Sequence, residues 1–255
     1  MKEKAFKVIG IVLSIAIFVG ANEVYVMFFG HPIYKYHLVK LAEKYIEETY
    51  SGTDYETNGV YIREGEGKRV VGVISPSQED VKFDIYCDFF GAKGDTYESD
   101  VLSGKVTSDR AVWEYGITAS SLFSNQPFDY KVKRASGVLT VGNNKDEKGS
   151  MFMGDFEPNE ELDLVEIGEK GGNFDITIYC ETITAEELSN ALLAIKSFAN
   201  ENGLGFYTIS CRMVSETSTD SITIKDFLNQ DIKDDEEFRT KVVENSKFYT
   251  YELEG

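Results

Sequence analysis

His31 and His37 are the only histidines in the chain, and a zinc site needs three or more protein ligands at suitable spacing. Separated by Pro32, they read as junction and helix-surface residues, and a Ser-His-Asp or Cys-His arrangement would have to draw on the same two. Cys87, Cys180 and Cys211 are odd in number, so they do not make a full disulfide framework. Each falls at an alternating position shared with apolar residues, the pattern of a buried free thiol. A Cys180–Cys211 bridge stays open if their strands are neighbours. Asn144-x-Asp146-x-Lys148-Gly149 with Asp155 superficially follows a calcium-loop register, but Lys148 puts a cation where a ligand oxygen belongs. A solvated hairpin loop accounts for it better. The acid-rich stretches Asp155–Glu169 and Glu216–Glu237 would gather calcium or a basic partner. Solvated loops and a helix N-terminus at Asp234–Glu237 explain them more simply. Paired carboxylates would serve glycoside hydrolysis, yet with 44 acids some pair always stands at the needed separation. Gly65–Gly67 and Gly171-Gly172 read as hairpin turns, not as a phosphate loop. No catalytic, cofactor-binding or metal residue is assigned, no cofactor is expected, and the chain is not expected to be an enzyme.

The elements that would position any site follow from periodicity. After Pro32, helical spacing runs from Ile33 to Tyr50, with Tyr34, Leu38, Leu41, Ala42, Tyr45 and Ile46 on one face. Strand-like stretches follow at Tyr55–Arg63, Lys68–Ile74 and Val81–Phe90, where Phe83, Ile85, Cys87 and Phe89 alternate with polar residues. Thr107 or Ser108 looks like the N-cap of a second helix. Pro127 marks the expected boundary. Beyond it, strands are expected at Tyr130–Val141 and Leu162–Ile167, then a strand–helix–strand unit from Phe174 to Val214. Its helix opens on Thr184-Ala185-Glu186-Glu187, the form of a capping box, and closes at Asn202-Gly203. The crossover reads as parallel, or as antiparallel if a strand intervenes. Ser221–Lys225 and Lys247–Glu252 are short candidate strands around a helix capped by Asp234. Phe83–Cys87 echoes Phe174–Cys180, which a duplication would explain, and which two strands buried alike explain equally.

Charge and hydropathy set the expected location. Lys2, Lys4 and Lys7 precede an apolar run over Val8–Gly30, broken by Asn22 and Glu23. About 20 apolar residues span a bilayer, so the segment reads as an uncleaved anchor, with a signal peptide as the alternative. The lysines predict the N-terminus in the cytoplasm and the C-terminal domain outside. Net charge is −18, which argues against nucleic acid and anionic lipid as partners. Hydrophobic content of 42 %, with 17 Phe and 15 Tyr, is that of a packed protein and not of a disordered acidic tail.

Several short motifs carry a family resemblance: Gly30-His31-Pro32-Ile33, Ala42–Tyr50, and Val73-Ile74-Ser75-Pro76-Ser77 leading to Asp80 and Phe83. Val101-Leu102-Ser103-Gly104 with Arg110 and Glu114-Tyr115 completes the set. Over residues 1–125 the chain resembles the YfjL-like family of Gram-positive bacteria, with His31 in place of the Asn expected at the junction. The resemblance implies a membrane-anchored protein and brings no catalytic residues. The expected architecture is α+β: an N-terminal transmembrane helix (1–30), then two small subdomains (31–126 and 127–255), each an antiparallel or mixed sheet packed with helices. The expected role is a non-catalytic binding or interaction module of the cell envelope. Its partners would be the membrane, through residues 8–30, and an envelope protein or ligand. A carboxylate-based envelope hydrolase and a regulator of a membrane partner are the alternatives.

Overall fold

The computed structural model describes Ser14, Ile17 and residues 32–63, 68–125 and 127–250. The chain divides into two compact units, Met1–Glu98 and Ser99–Gly255. In the first, helix α1 (Pro32–Thr49) opens on a proline, whose fixed φ and missing N–H cost nothing in a first turn. Leu38, Ala42 and Ile46 repeat at four-residue spacing and are its buried stripe. The helix packs on an antiparallel meander of β1 (Glu56–Ile62), β2 (Arg69–Ile74), β3 (Lys82–Cys87) and β4 (Ala92–Asp95), in that order across the sheet. Tyr50, Tyr55, Phe83 and Tyr97 form a ring cluster with centroids 5.2–6.2 Å apart. Asp95 Oδ2 accepts the hydroxyls of Tyr45 and Tyr50, both at 2.8 Å.

In the second unit, helix α2 (Lys105–Asn125) begins ahead of the expected Thr107 or Ser108 cap. It packs along β5 (Lys131–Leu139), although the sequence reading placed it in the first half. Gly137 on β5 permits the approach, since a Cβ there would stand 2.4 Å from that of Ala119. Next come β6 (Val141–Gly142) and β7 (Met151–Phe152), which pair in parallel, so the intervening polar loop is not the hairpin expected. Leu162–Ile167, read as a strand, is mostly helix: α3 spans Leu164–Gly171. Asp163 caps it by accepting from the amides of Val165 and Glu166 at 2.9 and 3.1 Å. A run this short shows one helical turn of apolar spacing, too little to separate 3.6 from 2. Gly171-Gly172 is the junction of α3 with β8 (Gly172–Cys180) and not a hairpin turn.

Helix α4 (Ala185–Glu201) links β8 to β9 (Thr208–Ser215), and the two strands pair in parallel, deciding the crossover. Thr184 Oγ1 accepts from the Glu187 amide at 3.1 Å, as its capping-box spacing requires. Strand β10 (Asp220–Leu228), helix α5 (Glu236–Asn245) and β11 (Lys247–Thr250) complete a five-stranded sheet ordered β11-β10-β9-β8-β5. The cap of α5 is Asp235, which accepts from the Phe238 amide at 2.8 Å, and not Asp234, which pairs with Arg239. The core gathers side chains of α2, α3, α4 and α5 on one side of the sheet, against inward residues such as Phe174, Ile176, Ile178, Ile209, Cys211, Met213, Ile222 and Ile224.

The anchor and the single-pass, outward-facing location are corrected here. Among the described residues no helix is long and apolar enough to cross a membrane. The two long enough, α1 and α2, carry Lys35, Lys40, Lys44, Glu47 and Glu48, and Lys105, Asp109, Arg110 and Glu114. The segment Val8–Gly30, apart from Ser14 and Ile17, lies outside the described residues.

Candidate anion-binding face

Most residues singled out from the sequence have structural work. His37 shares a hydrogen bond of 2.8 Å between Nε2 and the Phe89 carbonyl oxygen, while His31 lies outside the described residues. All three cysteines are free. Strands β8 and β9 are neighbours, but their register sets Cys211 opposite Ile176 and Cys180 opposite Ser215, so the Cys180–Cys211 bridge has no geometry to form. Burial pushes the Cys211 thiol up to about 12, and burial with the nearby Asp88 carboxylate pushes Cys87 to about 11. Asn144 Oδ1 accepts from the Asp146 amide, and Lys145 pairs with Asp155, which spends the calcium-like loop on its own turn. The acid-rich stretches supply the caps Asp163 and Asp235 and the pairs Glu166–Lys170, Asp231–Lys241 and Glu237–Lys241. Among the described residues no group of His, Cys, Asp and Glu could hold a metal ion. In the first unit, Asp84 accepts from Tyr61 and from Arg63 Nη1, the latter at 3.0 Å.

The arrangement that sequence reasoning missed is on the side of the five-stranded sheet opposite its core. Because paired residues share a face, the registers generate rows that run across the strands. One row is Arg134 on β5, Thr177 on β8, Arg212 on β9, Thr223 on β10 and Lys247 on β11. The row beside it is Lys131, Tyr179, Val214, Ser221 and Tyr249. A bulge between Val132 and Arg134 adds Lys133 to the same face. The ammonium groups of Lys131 and Lys133 stand 5.0 and 5.5 Å from the Tyr179 ring centroid. Lys131, Lys133, Arg134, Arg212, Lys225 and Lys247 are all exposed, and Asp175, Glu216 and Asp226 are among the acids on this side.

The cations of the first row are the ones left for a ligand. Lys131 is held 2.7 Å from Glu216 Oε1, a hydrogen bond that raises its pKa. Among the described residues, Arg134, Arg212 and Lys247 have no carboxylate within ion-pair distance; Arg212 Nη2 donates to Ser221 Oγ at 3.4 Å. A cavity of about 540 Å³ in the first unit offers the contrast. It is also lined by cations, but Arg69 lies over Tyr34 at 5.4 Å, Lys68 over Tyr86 at 5.5 Å, and Lys93 is 3.2 Å from Asp88. The sequence held one signal for the sheet face: Lys131-Val132-Lys133-Arg134 is a basic cluster in an acidic chain. Arg212 and Lys247 gave none, because only the register aligns them with it.

Residues 114–240 match the family model described as the YfjL-like C-terminal domain. The matched span opens on Glu114-Tyr115, the last of the motifs that carried the resemblance, and runs through the half of the chain beyond them. It contains Arg134, Thr177, Arg212 and Thr223 of the row. No curated protein and no solved structure matches the chain.

Proposed function

We propose, from the premise that the chain carries a YfjL-like C-terminal domain, that this domain is a non-catalytic binding module whose open sheet face holds an anionic partner. The observation that carries the reading is the row Arg134–Thr177–Arg212–Thr223–Lys247, cations alternating with hydroxyls on the face opposite the core of this unit, in a chain of net charge −18. Guanidinium forks and hydroxyl donors suit carboxylate and phosphate oxygens. Two features support a binding role over catalysis. The Cys87 and Cys211 thiols stay protonated near neutral pH, and His37 is engaged by a backbone carbonyl.

The test is amide chemical-shift mapping of the isotope-labelled full chain during titration with poly-L-glutamate. The expected shifts cluster on β5, β8, β9, β10 and β11. Absence of binding, or shifts confined to the lining of the first unit's cavity, would reject the reading.

A further inference from the structure

The row specifies more than the sign of the partner's charge. Arg134, Arg212 and Lys247 stand on alternate strands, with Thr177 and Thr223 on the strands between. Neighbouring strands lie about 4.8 Å apart, so cations recur roughly every 10 Å along a line crossing the sheet. We propose that the occupant is an acidic polypeptide segment in the polyproline II conformation, with a carboxylate at every third residue; this rests on the anion-binding reading above.

The spacing selects among extended anions. A polyproline II chain has three residues per turn and rises about 3.1 Å per residue, so every third side chain returns to the same side after about 9.3 Å. A β-strand repeats its side every two residues, after about 6.8 Å, and falls out of step with the row. Phosphates along one strand of a nucleic acid duplex recur about every 3.4 Å of helix axis, so several fall within each interval between cations. The hydroxyls favour the same occupant. Polyproline II leaves its own N–H and C=O groups unpaired, and Thr177 and Thr223 stand between the cations where those groups would pass. An α-helix satisfies its backbone internally and has no use for them. The adjoining row supplies an apolar shoulder in Val214 and Tyr249, the latter 41 % exposed. Aromatic surfaces of this kind accept the proline rings of such segments.

The experiment compares two labelled peptides of the same composition by fluorescence anisotropy against the full chain. One is a run of Glu-Pro-Ser repeats; the other has all its glutamates contiguous. The repeat is expected to bind about tenfold more tightly than the block isomer. Arg212→Ala, which removes the middle cation, should erase the difference. Arg134→Ala, at an exposed position on the edge strand, provides the same reading should circular dichroism show Arg212→Ala unfolded. Equal affinity for the two peptides would overturn the polyproline II assignment and leave anion binding standing. Binding of neither would remove both.

Discussion

Tyr115 shows how much of this fold depends on individual atoms. Its side chain is fully buried on α2, and its hydroxyl donates to the Gly205 carbonyl at 2.8 Å. Burial raises the phenol pKa, so the group serves as a neutral donor at every ordinary pH. Glycines make the room: a Cβ at Gly168 would lie 2.2 Å from the Gly205 oxygen, and one at Gly172 would lie 2.2 Å from the Tyr115 hydroxyl. Tyr115→Phe should destabilise the chain by about 1–2 kcal/mol, since the Gly205 carbonyl loses its donor. Gly168→Ala forces backbone to move and should cost more, about 3 kcal/mol. Urea unfolding of the three proteins measures both, and two neutral variants would contradict the packing described. Tyr115 was legible in the sequence only as a motif residue. Its acceptor lies far along the chain, and no local pattern announces it.

At the scale of elements, caps and alternation were readable and register was not. Thr184 and Glu187 met as their spacing demanded, and β9 buries Ile209, Cys211 and Met213 while Ser210, Arg212 and Val214 face outward. Leu162–Ile167 misled because its apolar residues cover barely one turn, and Asp163 within it was the cap that mattered. The row of cations depends on the parallel pairing of β8 with β9 and on β11 closing the sheet, both long-range events. Strand β11 is held at the edge partly by Thr250, whose hydroxyl donates to Asp220 Oδ1 at 2.8 Å. That bond, with a second from Ser218, holds the Asp220 pKa below 3.8. A lowered folded pKa means the unfolded chain binds more protons, so the contribution is fully present above 3.8 and lost as pH falls through the folded value. Hydrogen exchange at Lys247–Thr250 should therefore accelerate on acidification below that point. Thr250→Val should exchange fast at all pH values; exchange unaffected by either change would refute this role.

For the whole molecule, the governing fact is a cationic face on a polyanion. Net charge is −18, yet Arg134, Arg212 and Lys247 line up with no carboxylate paired to them among the described residues. Composition made the acidity legible and hid the exception, because a sum over the chain cannot show where charges gather. The two scales of charge respond differently to salt. The Debye length falls from about 30 Å at 0.01 M to about 10 Å at 0.1 M, so repulsion from the distant acids fades before pairs in contact weaken. The most direct test is the affinity of the full chain for poly-L-glutamate across that range and up to about 1 M, beside a variant carrying Arg134→Glu and Arg212→Glu. The face predicts affinity that rises at first, passes a maximum and then falls, with the variant failing to bind throughout. A steady decline from the lowest salt, shared equally by the variant, would mean that the row of cations does not hold the partner.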